Sequence, residues 1–529
     1  MIIVADAETK QHVKKNGDIV LQSVHGGVAS SFDILAQASS ATYIARARTP
    51  EDKSVVDKKG KVEVQGPEGS YNIKRIFLTP EELENYYFGF SNQTLWPLSH
   101  VAFEKPAFKK EWYEGYKAVN QKFAKAIKEE INGKTFIWIH DYQLALVPLY
   151  LKLAQRKDVI VSFFWHIPWP TWEQFRILPV KKDILWSLLS CDFLAFHRGY
   201  QARNFFNTVQ RELAVMIDEE KRLVHFAKNK TTVRNLPLGI DVDVIKQLVA
   251  PAVDEPLVMR VLRDMLVGEA QDKTSTAKKD PLDKFFKNYK VILGIDRLDY
   301  TKGVPLRLQA IDAFLTKYPQ YKEEIVYLGI MSPSRSSIPS YQALKKEVDA
   351  LTRSINDKYK TDSWQPIQII HQSFMREDVM SLYKRASLCL VTPLDDGMNL
   401  VSKEFVIAQS FSDDPGVLVL SQFAGSAIDL NSAIIINPYD VEQVADAIKK
   451  GLEMPTREKK KDTKEMVETM EERSIYAWAH DFVPYLRYSR SCVTIIILLP
   501  SLINEMKVFI RSCPETVSRF PVGSSATIN

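Results

Sequence analysis

The sequence predicts an α/β protein made of two doubly wound domains, each a parallel sheet covered by helices on both faces. Three observations support this. Short β-branched or aromatic runs alternate with amphipathic, charge-rich segments of helix length, the pattern of parallel strands joined by crossover helices. The chain has 529 residues, more than one hydrophobic core usually serves. Charged and polar residues cluster directly after the apolar runs, where open α/β sheets gather their ligands.

In chain order, "MIIVADAETK" reads as a short buried strand and not as a signal peptide, because no basic region precedes a long apolar stretch. Further strands are expected in "TFIWIHDY" (135–142), "DVIVSFFWHIPW" (158–169), "YKVILGIDRLDY" (289–300), "IVYLGIM" (325–331), "ASLCLVTP" (386–393) and "GVLVLSQF" (416–423). Between them, "VRNLPLGIDVDV" (233–244) meets Pro237 and Gly239 and the pattern restarts, which divides the domains at 1–237 and 238–473. The lysine-rich segment 271–290 reads as a solvated helix end and loop, and 455–474 as a charged helix; both are expected to be surface and not binding patches. The apolar run "CVTIIILLPSLI" is twelve residues broken by Pro500, short of the roughly 20 a membrane-spanning helix needs. No membrane segment is expected.

Composition narrows the function. Apolar residues make up 45% and charged residues 26%, and the net charge of +5 is small for this length, so nucleic acid is not the expected partner. Cys191, Cys389, Cys492 and Cys513 form no CxxC pair, which suits a reducing compartment and a cytoplasmic location. The chain lacks GxxxxGK[ST], HExxH, GxSxG and a strict GxGxxG, which argues against ATP hydrolysis, zinc proteolysis and an ordinary dehydrogenase. Its nine histidines never recur at four-residue spacing, so no metal site is expected.

Four strand ends carry candidate chemistry. "GIDRLDYTKG" (294–303) presents Arg297 and Lys302, a planar fork and a mobile point charge that could flank a diphosphate. The plain alternative is a surface pairing of Arg297 with Asp296 or Asp299. "TPLDDGMNLVSKEF" (392–405) places Gly397 for a sharp turn before a helix whose first N–H groups suit phosphate or sugar oxygens. Asp396 and Glu404 could accept hydrogen bonds from different hydroxyl-bearing parts of one ligand, or the acids could simply cap the helix. "WIHDYQLALVP" adds Asp141 and "FFWHIPWPTWEQF" adds His166. Each alone fits a structural residue; four such sites at four strand ends argue for one ligand cleft.

"HDYQLALVP", "FFWHIPWP", "DRLDYTKGVPLRLQAIDAFL", "TPLDDGMNLVSKEF", "PGVLVLSQFAGSA" and "INPYDVEQVADAI" resemble, in order and spacing, the trehalose-6-phosphate synthase family of retaining glycosyltransferases. The resemblance runs from about residue 1 to 486. It implies a GT-B fold, two Rossmann-like domains facing each other across a cleft, with a final helix (474–486) returning to the first domain. It also implies transfer of glucose from a nucleotide diphosphate glucose to glucose 6-phosphate, with no cofactor and no metal. By residue, it implies that Arg297, Lys302 and the backbone around Gly27 bind the donor diphosphate and that Glu404 binds the ribose. Asp396 and the N–H groups of Gly397, Met398, Asn399 and Leu400 would hold the donor glucose, with His166 at its 6-hydroxyl. Tyr87, Trp96, Asp141 and Arg335 would surround the acceptor and its phosphate. Arg297, Lys302, Asp141 and His166 are the expected catalytic set. The expected partners are thus small molecules; the sequence is compatible with a homo-oligomer without specifying one.

The chain departs from that family in three places. Ala7 stands where members usually carry an acceptor-binding arginine, and "ATYIARART" replaces a tryptophan-rich segment, so Tyr43, Arg46 and Arg48 offer a relocated cation. Glycerol 3-phosphate, the acceptor of related glucosylglycerol-phosphate synthases, and a catalytically weak regulatory role are the competing readings. Asp395 occupies a position where members commonly have arginine, adding negative charge beside the expected sugar pocket. From about Arg487 the tail matches nothing in the family, and it carries no phosphatase motif. The triplet "DVD" (241–243) is read as a chance match to a metal-binding DxD.

Overall fold

Ile2–Ala7, the expected first strand, lies inside a ten-stranded sheet and is buried along nearly its whole length. A strand covered by helices on both faces must be. The structure is a computed structural model that describes residues 1–24, 27–151, 158–249, 256–267 and 281–488. Across this sheet the strands run Met216–Asp218, Leu223–Phe226, Asn229–Asn235, Phe193–Phe196, Val159–Trp165, Thr135–His140, Ile2–Ala7, Thr42–Arg46, Gly69–Ile76 and Lys61–Gly66. From Asn229–Asn235 to Gly69–Ile76 all neighbours are parallel, while antiparallel strands extend both edges. The chain first winds outward from Ile2–Ala7 through Thr42–Arg46, then returns to its other side with Thr135–His140. Strand order therefore reverses between Ile2–Ala7 and Thr135–His140, which opens a crevice at their C-terminal ends.

The second sheet has six parallel strands in the order Ile367–Ile370, Ile325–Ser332, Lys290–Arg297, Leu388–Val391, Val417–Ser421 and Ile434–Ile436. Its order reverses between Lys290–Arg297 and Leu388–Val391, so Arg297 and the 392–399 loop leave the sheet side by side. The chain thus has the GT-B architecture of two facing α/β domains. A hairpin, Lys10–Lys15 paired with Asp18–Ser23, follows the first strand; it was not anticipated.

One large cluster of buried apolar residues, from Ile240 to Met470, fills the second domain. Two others cover the two faces of the first sheet. One of these includes Trp138, Phe164 and Phe193 and takes in Trp478 and Phe482 from the helix Ile475–Tyr488. Trp478 stacks on Trp138 at 4.9 Å between ring centroids, and its indole N–H donates to the Leu236 carbonyl at 3.2 Å. Burying each such ring is worth about 2–3 kcal/mol, so the helix is a fixed part of the first domain. The chain crosses there at Gly239, where a Cβ would stand 2.3 Å from the Ser474 carbonyl. Only glycine allows that approach.

The charged segment expected at 455–474 is the helix Thr456–Glu472, and Pro281–Asn288 is also helical. Of the lysine-rich segment 271–290, residues 271–280 lie outside the described residues, as does the tail from 489. Among the described residues no helix is long and apolar enough to cross a membrane.

Candidate active site

The second-domain half is organised by a residue that the motif reading missed. Arg307 is 1% exposed; it binds the Asp296 carboxylate at 2.6 Å, the Thr392 hydroxyl at 2.9 Å and the Lys302 carbonyl at 3.2 Å. One guanidinium thereby ties together both strand ends and the turn between them. A signal for it was present, since a lone arginine inside the apolar run "VPLRLQAI" needs a buried counter-ion. Asp296 is consumed by Arg307, so it is not the surface partner of Arg297. Asp299 accepts from Arg335 at 3.1 Å and lies 3.9 Å from Arg297. Burial alone would raise its pKa, but Arg335, Arg297 and Lys302 bring it down to about 2.

Of the two readings of the 392–405 stretch, capping by its acids is not what the structure shows. Neither acid caps it: Asn399, at φ 69°, turns the chain and its side chain accepts from the Ser402 N–H at 3.1 Å. Asn399 in turn donates to Asp396 at 3.1 Å, and Lys302 reaches the same Asp396 oxygen at 2.5 Å. Burial opposes ionisation of Asp396, and Lys302 reverses that, holding it below the usual carboxylate range. Gly397 serves close approach and not the turn, because a Cβ there would meet the His166 carbonyl oxygen at 2.0 Å. Met398 packs into the first domain's apolar cluster beside Leu400. Glu404 is gripped at one oxygen by Arg376, at 2.8 and 2.6 Å; nothing in the sequence marked Arg376. Lys403 is structural, buried against Asp429 at 2.7 Å and the Leu238 carbonyl at 3.1 Å.

Facing this loop, the first domain presents an aromatic wall. Residues Glu84–Leu95 wind as a π-helix, a form concentrated at functional sites. That helix carries Tyr87 and leads into Trp96. The Arg335 guanidinium lies 4.2 Å and that of Arg297 5.5 Å from the Trp96 ring centre. Arg46 sits 5.0 Å over Tyr87. Burial would push the Tyr87 phenol up, yet Arg335, Arg46 and Arg297 together hold it below its ordinary value. Arg335 also donates to the Tyr341 and Tyr142 hydroxyls.

Asp141, at φ 74°, accepts from the Tyr142 N–H at 2.9 Å and the His166 N–H at 3.1 Å. Burial nevertheless raises its pKa to about 7. His166 shares a hydrogen bond with His140 at 3.1 Å, and its Nδ1 is a buried atom without a partner among the described residues. Burial keeps both imidazoles neutral. Gly27 begins the helix Gly27–Ala38; the two residues before it are outside the described set.

Two of the departures gain a physical setting. Ala7 pairs in register with Arg46 on the adjacent strand. The Arg46 guanidinium binds both Asp6 oxygens at 3.0 Å. A cation does therefore stand beside Ala7. The Asp395 carboxylate reaches across to accept the Val101 N–H at 3.0 Å. The DVD triplet is likewise structural, since Asp241 accepts from the Val244 N–H at 3.0 Å and the Tyr476 hydroxyl at 3.1 Å.

Two Rossmann-like domains, with cations and carboxylates meeting at both switch points, define a GT-B hexosyltransferase. The glycosyltransferase family 20 profile matches residues 1–488, and the chain belongs to that family. It is 35% identical over 419 residues to the UDP-forming alpha,alpha-trehalose-phosphate synthase of Candida albicans, covering 79% of this chain and 83% of that one. The trehalose-6-phosphate synthase of Sodalis glossinidius is 34% identical over 410 residues, 78% of this chain and 82% of the relative. Among solved structures, the E. coli trehalose-6-phosphate structure bound with UDP-2-fluoro glucose superposes with a TM-score of 0.78 at 29% identity, over 92% of this chain and 98% of that one. A UDP-forming synthase of Burkholderia xenovorans in complex with glucose-6-phosphate gives 0.76 at 27%, over 92% and 99%.

Proposed function

We propose that this chain transfers glucose from UDP-glucose to glucose 6-phosphate with retention of configuration, forming trehalose 6-phosphate in the cytoplasm without a metal. The observation that carries this reading is the convergence of Arg46, Arg297 and Arg335 on the Tyr87–Trp96 wall, across from the Lys302–Asp396 pair. Guanidinium groups bind phosphate in a planar, multidentate way, and aromatic faces suit the apolar faces of sugar rings. The names of the relatives and the ligands of the neighbouring structures support the same assignment.

In this reading Asp396 and the N–H groups of the Gly397–Leu400 turn hold the donor glucose, with His166 at its 6-hydroxyl. Glu404, steadied by Arg376, takes the ribose. Lys302 and Arg297 take the diphosphate together with the backbone near Gly27. As the glycosidic bond breaks, negative charge grows on the leaving diphosphate, and cations already in place stabilise that state more than the ground state. The acceptor attacks from the same face as the leaving group, whose oxygen takes its proton. Asp141 orients the acceptor's hydroxyls. Arg46, beside Ala7 and paired with Asp6, supplies a phosphate-binding charge that Ala7 lacks.

The test is to incubate purified protein with UDP-, GDP- and ADP-glucose against glucose 6-phosphate and glycerol 3-phosphate, with and without EDTA, and to identify products. Trehalose 6-phosphate from UDP-glucose, unaffected by EDTA, is expected. Loss of turnover in EDTA would overturn the metal-free reading. Donor binding without any product would favour a regulatory protein.

A further inference from the structure

Asp395 stands beside the donor loop without serving it. Its carboxylate, 8% exposed, accepts the Val101 N–H, and the Tyr439 hydroxyl donates to the Val101 carbonyl at 3.1 Å. Both backbone groups of one first-domain residue are thus held by second-domain side chains, although the Val101 side chain itself is half exposed. Phe103 adds a ring contact with Tyr439 at 6.4 Å, and Tyr439 rests against Phe423 at 6.2 Å.

Val101 directly continues the segment that carries Trp96. His100 shares a hydrogen bond with the Trp96 carbonyl at 2.8 Å, and the two rings lie 4.2 Å apart. Trp96 to Val101 is therefore one stiff unit. On the other side, the residue after Asp395 is the partner of Lys302. The only backbone between the two carboxylates is a single peptide unit, so the loop that grips Lys302 also grips the aromatic wall.

We propose that Asp395, with Tyr439, latches Val101 to the donor loop and so acts as a positioning residue that sets the Trp96 wall for the acceptor. A buried carboxylate is costly unless its oxygens are satisfied, and this one spends its reach on the opposite domain. Burial, with Asp396 adding to it, raises its pKa to about 7 against the opposing pull of the Val101 N–H and Arg198; Tyr200 and Tyr439 also face it. The role in acceptor binding rests on the proposed transfer reaction; the latch does not.

Two readouts on the full chain separate them. Hydrogen–deuterium exchange over Trp96–Val101 reads the latch without any substrate. Asp395→Ala is expected to speed exchange of that segment at least tenfold, while Asp395→Asn, which keeps an acceptor oxygen, preserves protection. In kinetics, Asp395→Ala is expected to raise KM for the sugar phosphate about tenfold with UDP-glucose affinity within twofold of the parent; Asp395→Asn restores KM. Unchanged exchange in Asp395→Ala would overturn the latch. Equal loss of donor and acceptor affinity would make Asp395 merely a prop of the loop. A parent protein that turns over no sugar phosphate would instead overturn the proposed function, with the exchange result still standing.

Discussion

Lys302 and Asp396, 94 positions apart in sequence, meet in a 2.5 Å ion pair where the two strands flanking the second-domain switch point end. Asp396 aims the ammonium, so the cation is pre-organised before a diphosphate arrives. Lys302→Met, which keeps the stem and removes the charge, is expected to lower kcat/KM at least a hundredfold, since removing one such donor costs on the order of 3 kcal/mol of transition-state stabilisation. Steady-state rates with UDP-glucose check this. Retention of more than a tenth of the parent rate would remove Lys302 from the diphosphate site.

The Arg46–Asp6 pair makes a second prediction. Both groups are largely buried, and Tyr86 also donates to Asp6 at 2.9 Å. Arg46→Leu leaves the Asp6 charge uncompensated, which typically costs about 3–5 kcal/mol. Adding Asp6→Asn should recover most of that stability in a thermal melt without recovering acceptor KM. Recovery of both would show that Arg46 is only an internal counter-ion.

Gly397→Ala tests the packing of the two domains. The added methyl would sit 2.0 Å from the His166 carbonyl, so either the loop or the His166 backbone must move. Displacements near 1 Å at a reacting centre can cost about a hundredfold in rate. The expected result is a large fall in kcat with the melting temperature lowered by no more than a few degrees. Near-normal kcat would mean that this loop tolerates displacement and does not set the donor geometry.

What was legible in the sequence followed from burial. Strands such as Ile325–Ser332, covered on both faces, appear as unbroken apolar runs, and the charged residues that follow them stand out. The hairpin after Ala7 was overlooked because "KQHVKK" has no apolar alternation, although Asn16 and Gly17, both at positive φ, mark the two-residue turn to its partner Asp18–Ser23. The π-helix of Glu84–Leu95 left no compositional mark. Asn399 was hidden by its acidic neighbours, though a left-handed cap is a role asparagine fills well. Arg376 and Tyr439 act through partners 28 and 338 residues away, which no local pattern encodes. The partner of Asp395, the Val101 N–H, belongs to the opposite domain, which sequence position alone does not reveal.

A buried charge cluster next to the first strand gives the last prediction. Glu8 and Asp52 both bind Arg75, at 2.9 and 2.8 Å, and the side chains of all three are fully buried. Burial raises the Glu8 pKa to about 8; Asp52 adds to the rise and Arg75 opposes it. Asp52 stays below its ordinary value despite burial because the backbone N–H groups of His12 and Thr49 bind it, at 2.8 and 3.0 Å. Glu8 is therefore protonated in the native protein at neutral pH but ionised when unfolded. Its contribution is fully present below the unfolded pKa near 4.5 and is lost as pH rises through about 8. His12 runs the other way: burial first, then Arg75, lowers its pKa, so its effect fades above about pH 6.5, where the unfolded imidazole also becomes neutral. Between pH 7 and 8.5 Glu8 is thus the member of this cluster that still titrates, with a slope of at most about 1.4 kcal/mol per pH unit. Glu8→Gln keeps the shape and removes the proton exchange. Its melting temperature is expected to gain on the parent's steadily across that window, because only the parent loses a proton there. A gap between the two proteins that stays constant from pH 7 to 8.5 would mean that Glu8 is already ionised at neutral pH and that Arg75 compensates both acids.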